Sequence, residues 1–430
     1  MVPSTGRKQA GSDGSSAPLI VLPPLSRHLS ILGLLTFSSL WGTLARLGLV
    51  AINTYPGQSI APVIWAQGLG CFIMGWAMSN KKSIDDLYPP LYTAITTGLC
   101  GCITTFSVWV LECFRAYGDQ YHHGRSGFYN AMDGLTQTIA TLAVSLACLS
   151  AGHHFAEFLP FSLLLRVLGP RRGAHTSSEV QLDTVRQNAS TEFRSAEASS
   201  GTQTQDRNAS SGQPQEHKGV PEQESEDVLR EAPFTHGASA RAFESREGPR
   251  VVGDQSRVLD FSCFVLGLAF WVGSALLCAF YAPWRRITFS LVMSPPGCVL
   301  RWYLSFLNPL PASRSSKLSL GTLAANLVAT LFVGAAFVLQ HVGRAAGSAG
   351  GGAYSMTGCA AAYGLEEGFC GCLSTISTFA AELRAAKGRS AVWYAAVSYI
   401  AGIAICVLII GSPWWSLGMD GSCVGLYPVG

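Results

Sequence analysis

Nine stretches of predominantly apolar residues divide the chain, at 29–51, 60–79, 88–112, 135–158, 259–281, 287–307, 319–340, 355–383 and 391–411. At a rise of about 1.5 Å per residue, roughly 20 such residues cross the hydrocarbon layer of a bilayer as one helix. Each stretch is therefore predicted to be a spanning helix. The first is too long, and ends in the wrong residues, to be a cleavable signal peptide. The polar segments between them differ in kind. Residues 1–28 are rich in Ser, Gly and Pro and read as a disordered tail. Residues 170–256 contain no Trp, Tyr or Ile and nearly half of all the charges, a composition unable to bury a core. The predicted fold class is an all-α polytopic membrane protein with nine transmembrane helices. Its parts are a tail (1–28), a first four-helix unit (29–160), a linker (161–257), a connecting helix (258–282), a second four-helix unit (283–412) and a short tail (413–430).

Composition agrees with this reading. Hydrophobic residues make up 48% of the 430 positions and charged residues only 13%, about half the ~25% of a soluble domain. A soluble enzyme of ordinary composition is excluded. The formal net charge of +3 gives no argument for nucleic acid. Thirteen cysteines are present, but most lie inside apolar stretches, where a thiol behaves as a small hydrophobe, so no disulfide framework is predicted. Lys and Arg flanking the helices set the orientation. With the N-terminus inside, Lys81, Lys82, Arg166, Arg171, Arg172, Arg314, Lys317, Arg384, Lys387 and Arg389 are cytoplasmic, against Arg115, Arg125, Arg285, Arg286 and Arg344 outside. The N-terminus and linker are thus expected in the cytoplasm, which leaves the Asn-Ala-Ser sequons at Asn188 and Asn208 unglycosylated.

The two units repeat one another. Gly42 to Arg46 answers Gly297 to Arg301, each an Arg four residues after a Gly. Gln67 answers Asn326. Gly98-Leu-Cys-Gly-Cys-Ile-Thr-Thr-Phe-Ser107 answers Gly368-Phe-Cys-Gly-Cys-Leu-Ser-Thr-Ile-Ser377, and Glu112 and Glu382 fall at equal distance beyond. Thr141 and Ser145 answer Tyr394 and Ser398, both pairs four apart on one helix face. Four crossings return the chain to its starting side, so the one extra helix at 258–282 turns the second copy upside down. Inverted repeats place a functional site near the midplane, where interrupted helices meet. The third and eighth spans, with glycines and hydroxyl residues crowded into 98–107 and 368–377, are predicted to be interrupted there.

Polar groups in a bilayer are costly unless they face a partner or a cavity. Arg46 and Arg301 fall toward opposite faces, which is expected to give each face a vestibule holding one fixed cation. Further in, the groups offered are neutral: Gln67, Asn326, Thr104, Thr105, Ser107, Ser374, Thr375 and Ser377, with the rings of Phe106, Trp109 and Phe379. No Lys, Arg or His stands at the centre. A small hydrated anion needs donors in place of water, yet a full positive charge in low dielectric holds it too tightly to conduct. The positive edge of an aromatic ring is a weaker substitute.

These residues carry a resemblance. Gly98 to Trp109 and Gly368 to Phe379 resemble the Gly-x-x-Gly-Gly-Leu-Thr-Thr-Phe-Ser-Thr-Phe signature of the CrcB/Fluc fluoride channels, and the Gly-x-x-x-Arg and Asn-x-x-Gly stations resemble the rest of that family's pattern. The fusion of two copies resembles its eukaryotic fluoride export (FEX) form. The resemblance implies a passive fluoride channel of the plasma membrane, a monomer built as an internal pseudo-dimer. It implies a structural sodium ion on the backbone carbonyls of Gly101, Thr104, Gly371 and Ser374, and two pores at the interface between the copies. One pairs Phe106 with Phe379 and takes Asn326, Thr105, Ser107, Thr141, Ser145, Thr375 and Ser377. The other, with Trp109, Ile376 and Gln67, departs from the pattern and is expected to be vestigial.

The same residues allow other readings. Glu112 or Glu382 as a proton relay gives a fluoride/proton-coupled transporter, although their place near helix ends suits a solvated or Arg-paired carboxylate better. An enzyme lacks a recurring nucleophile and base. Cys100/Cys102 and Cys370/Cys372 are expected to be packing residues, His122/His123 and His153/His154 surface residues, and Gly347 to Gly352 a spacer.

Overall fold

The computed structural model describes residues 23–55, 58, 60–118, 126–168, 254–341, 356–417 and 423. Most of the N-terminal tail, residues 169–253 of the linker, His122/His123, the Gly347–Gly352 spacer and most of the C-terminal tail lie outside them. The described residues are helical: α1 (Leu25–Ile52), α2 (Val63–Ser79), α3 (Lys81–Leu87), α4 (89–103), α5 (Phe106–Tyr117), α6 (Gly127–Phe158), α7 (Phe161–Leu168), α8 (Asp254–Phe280), α9 (Arg285–Ser305), α10 (Pro311–Ser316), α11 (Leu320–His341), α12 (356–373), α13 (Ser377–Ala385) and α14 (389–417). Residues 160–232 form a unit apart, whose described part is α7 with its turn at Pro160.

Six helical segments are long and apolar enough to cross a membrane: Leu25–Ile52, Pro89–Tyr117, Gly127–Phe158, Arg257–Phe280, Leu320–His341 and Arg389–Ser416. The other three predicted spans fall on helices with less of that character. α2 has 17 residues, α9 carries Arg285, Arg286, Arg301 and an internal Pro295-Pro296, and α12 and α13 are separated by a break. The protein is an all-α membrane protein turned inside out. In an 18-residue apolar window of Pro89–Tyr117, 89% of the residues are buried, against 17% in that of Arg257–Phe280, so the hydroxyl-rich segment is the core. Phe261, Val265, Leu266, Phe270 and Leu277 of α8 face outward, as a lipid-facing helix requires.

Small residues let the helices approach. A Cβ on Gly75 would fall 2.0 Å from the Leu149 carbonyl, and one on Gly152 1.9 Å from that of Phe72, so α2 and α6 pack backbone to backbone. α9 stays helical through Pro295-Pro296, and one of the acceptors they free finds a donor on another helix. Pro296 has no N–H for the Val292 carbonyl, and the Trp271 indole of α8 supplies one at 2.9 Å. At the other end of α8, the buried Asp260 pairs with Arg27 at 3.1 Å and accepts the Tyr88 hydroxyl at 2.6 Å. That joins the starts of α1, α4 and α8.

One disulfide, Cys359–Cys423, corrects the reading of the cysteines. It ties the tail to the start of α12, and the Cys423 N–H also donates to the Gln340 carbonyl at 3.1 Å. Cys423 stands outside the apolar stretches, where a thiol is no longer a core residue.

Hydrogen bonds to charged groups contribute about 1.5–3 kcal/mol each. Asp260→Ala is therefore expected to lower the melting temperature of the detergent-solubilised protein by several degrees. An unchanged melting curve would remove this three-helix junction from the stability of the fold.

Candidate functional site

The interruption lies beyond the glycines that signalled it. Residues 94–100 and 364–370 are wound as π-helix, and each helix ends one short turn later. Thr104 (φ −93°, ψ 147°) and Thr105 (φ −144°, ψ 125°) are extended before α5 begins, and Ser374 (φ −85°, ψ 161°) is extended shortly before α13. The glycines serve packing instead.

A helix that stops and restarts inside a membrane leaves N–H groups without partners. Here each break caps the helix that follows the other. The Ser374 hydroxyl accepts the Ser107 N–H at 3.1 Å and bonds the Ser107 and Thr105 hydroxyls at 2.9 and 3.0 Å. The Thr104 hydroxyl accepts the Ser377 N–H at 3.1 Å, donates to the Ser377 hydroxyl at 3.1 Å and bonds that of Thr375 at 3.2 Å. Two amides brace the extended residues from α2 and α11. Gln67 donates to the Thr105 carbonyl at 2.7 Å and accepts its N–H at 3.2 Å. Asn326 does the same for Thr375 at 3.4 and 2.9 Å. Gln67 and Asn326 are equivalent braces, although the sequence assigns them to different pores.

The aromatic residues meet beside this network. The Phe106 and Phe379 rings lie edge to face, centroids 5.5 Å apart. Phe379 continues edge-on to Tyr394 at 5.1 Å. Trp109 packs on Phe106 and Tyr399 and donates its indole N–H to the Gln137 carbonyl at 3.3 Å; Ile376 is fully buried. Ser398, one turn after Tyr394, is buried with its hydroxyl unpartnered. Thr141 and Ser145 are buried on α6, which packs along α2. Tyr394 on α14 therefore joins the Phe106–Phe379 pair, a placement the sequence did not propose.

The Tyr394 hydroxyl donates to Glu382 at 2.8 Å. Glu382, 6% exposed, also accepts from Thr322 at 2.6 Å and Asn308 at 3.3 Å, so it is not a solvated carboxylate. Glu112 is Arg-paired, to Arg115 at 3.1 Å.

Neither guanidinium of the repeated Gly-x-x-x-Arg stands in an open mouth. Arg46 is 1% exposed and Arg301 4%. Both reach the interrupted helix of the other half. Arg46 donates to the Glu367 carbonyl and pairs with its carboxylate at 3.4 Å. Arg301 donates through Nη1 to the carbonyls of Gly101 at 2.7 Å and Ser374 at 3.2 Å, and through Nη2 to that of Thr97. It also lines a cleft with Thr97, Ser305, Gly321, Thr322, Thr375 and Thr378. The centre thus holds a cation that the sequence placed at the periphery. Two of the four carbonyls assigned to a sodium ion, those of Gly101 and Ser374, already accept from this guanidinium. Two positive charges about 4 Å apart repel by about 4 kcal/mol at an effective dielectric of about 20. The residues present do not fit a separate central cation.

The family described as "CrcB-like protein, Camphor Resistance (CrcB)" matches residues 34–153 and 288–411, more than half of the chain and both halves of the site. The chain belongs to the CrcB family. Among relatives, the "Fluoride export protein 1" of Candida albicans is 27% identical over 399 residues, 89% of this chain and 79% of that protein. The "Fluoride export protein 2" of Saccharomyces cerevisiae is 26% identical over 423 residues, 94% of this chain and 98% of its own length. The "Fluoride-specific ion channel FluC 1" of Staphylococcus aureus is 35% identical over 79 residues, 18% of this chain and 64% of that one. No solved structure matches. The CrcB matches begin after Arg27 and leave out α8, so Arg27 and Asp260 lie outside both matched regions, whereas their partner Tyr88 lies inside the first.

A buried N–H or C=O left unpaired costs about 1–3 kcal/mol. Gln67→Ala and Asn326→Ala should therefore each lower the melting temperature, by similar amounts. A neutral Gln67→Ala would show that the two amides are not equivalent braces.

Proposed function

We propose that this CrcB protein is a fluoride-selective passive channel that lets fluoride leave the cytosol. The observation that carries the reading is the edge-to-face meeting of Phe106 and Phe379, contributed by opposite halves, beside a cluster of buried hydroxyls. Ring edges and hydroxyls offer a dehydrated anion partial positive charge without a strong trap. The names of the fungal and bacterial relatives supply the ion. Hydrogen fluoride enters cells neutral and releases fluoride at cytosolic pH. An inside-negative potential, worth about 2.3 kcal/mol per charge per 100 mV, then expels the anion through an open path.

On this reading the chain crosses the plasma membrane nine times as two inverted four-helix repeats and works as a monomeric pseudo-dimer. Disulfides persist in oxidising compartments, so Cys359–Cys423 supports an outer location for the start of α12 and the C-terminal tail. Nine crossings then leave the N-terminus and linker in the cytoplasm. One pore conducts, lined by Phe106, Phe379, Tyr394, Ser398 and the break hydroxyls. The opposite pore is vestigial, because Trp109 turns to Gln137 and Tyr399 where a second ring pair would form.

A second reading has one observation in its favour. Glu382 is a buried carboxylate hydrogen-bonded to the Tyr394 hydroxyl, and the Tyr394 ring lies against Phe379, which sets a group able to take up and release a proton close to the fluoride path.

Fluoride efflux from liposomes holding the purified protein, with chloride as control, separates these readings. The channel predicts fluoride flux that follows voltage and ignores a proton gradient, lost in Phe106→Ile and Phe379→Ile while both variants stay folded. Flux driven by the proton gradient would establish the coupled transporter, and normal flux in both variants would remove these rings from the path.

A further inference from the structure

We propose that the Arg301 guanidinium is the central cation of this protein, a tethered replacement for a bound sodium ion, so that the fluoride path operates without sodium. The proposal rests on the channel reading above.

A cation at the meeting of two broken helices has one task, to hold carbonyl oxygens of both breaks together. Arg301 Nη1 does this with a single nitrogen, 2.7 Å from the carbonyl of Gly101 in the first half and 3.2 Å from that of Ser374 in the second. Nη2 adds the Thr97 carbonyl. Among the described residues no carboxylate lies within ion-pair distance of Arg301. Its charge is met by backbone oxygens, the ligands a hard cation takes, and it is almost fully buried. The surroundings are shaped for it. A Cβ on Gly101 would fall 2.2–2.4 Å from the guanidinium, so no other residue fits there.

Its counterpart shows why one arginine and not two does this. Arg46 comes from the same station of the other half, and a Cβ on Gly371 would meet its guanidinium in the same way. Two guanidinia at one centre would repel. The repeat differs where that conflict would arise. Glu367 stands where the first half has Thr97, and its carbonyl and carboxylate hold Arg46, whose own Nη1 remains buried and unpartnered. The added carboxylate neutralises the second cation, and the hydrogen bonds that join carbonyls of both halves are made by the first. A guanidinium bound to the chain cannot exchange with the bath, which a sodium ion can.

Liposomes holding the full-length protein are loaded with fluoride as its sodium, potassium or N-methylglucamine salt. Equal efflux from all three supports the proposal, and flux lost without sodium and restored by it overturns the proposal. Absence of flux in every salt would count against the channel reading instead. The cation is then tested without transport, by melting the detergent-purified protein in sodium, potassium and N-methylglucamine chloride at one ionic strength. Coincident curves support the proposal, and saturable stabilisation specific to sodium overturns it. Arg301→Ala, which opens the two carbonyls, is expected to melt lower and to gain a stabilising response to sodium. An Arg301→Ala protein that melts like the native one, with no response to sodium, would also overturn it.

Discussion

A polypeptide cannot break a helix inside a bilayer unless every N–H and C=O it frees finds a partner in the protein. Two interrupted helices sit at the centre here, and their solution is mutual. The hydroxyl of Ser374 caps the helix that starts at Phe106, and the hydroxyl of Thr104 caps the one that starts at Ser377. Neither half satisfies its own break alone: the first free N–H of each restarted helix is taken by a hydroxyl of the other half. The amides of Gln67 and Asn326 complete the accounting, and the two halves therefore fold around one polar centre.

The rest of the architecture follows from protecting that centre. Apolar helices such as α8 surround it with lipid-facing side chains, and tight glycine contacts bring the helices close enough to exclude water. The centre stays close to two-fold in its hydrogen bonds but not in its chemistry. Phe106 and Phe379 meet, whereas Trp109 and Ile376 do not make a second ring pair. Glu367 holds one arginine where Thr97 leaves the other free to bridge the breaks. A duplicated framework has kept its backbone logic and let its side chains specialise.

The sequence revealed most of the framework because it constrains length and position. Apolar stretches of membrane length marked the helices, and the repeat of Gly98 to Ser107 at Gly368 to Ser377 marked the breaks to within a few residues. Direction was not legible. Counting from a helix end placed Arg46 and Arg301 toward the two faces, but a long flexible side chain covers several ångströms, and both reach inward across the other half. The same limit hid Glu382, whose burial depends on Thr322, Asn308 and Tyr394 arriving from other elements. Tyr394 and Ser398 form a matched pair with Thr141 and Ser145 in the sequence, yet only the packing of α14 on α5 puts Tyr394 beside the Phe pair. Glu367 did leave a signal. With Glu366 it stands where the first copy has Thr96 and Thr97, immediately before the matched station, and charges that enter one copy of a repeat mark a place where the copies differ in task.

Mutual capping is open to direct measurement through a double-mutant cycle on Ser107→Ala and Ser374→Ala, 267 residues apart in sequence and 2.9 Å apart at their hydroxyls. Residues that share a hydrogen-bond network show coupling of about 0.5–3 kcal/mol, whereas distant sites add to within about 0.5. The account predicts coupling within that range in reversible unfolding of the purified protein. Strict additivity of the two substitutions would mean that the breaks do not satisfy one another, and the centre described here would have to be abandoned.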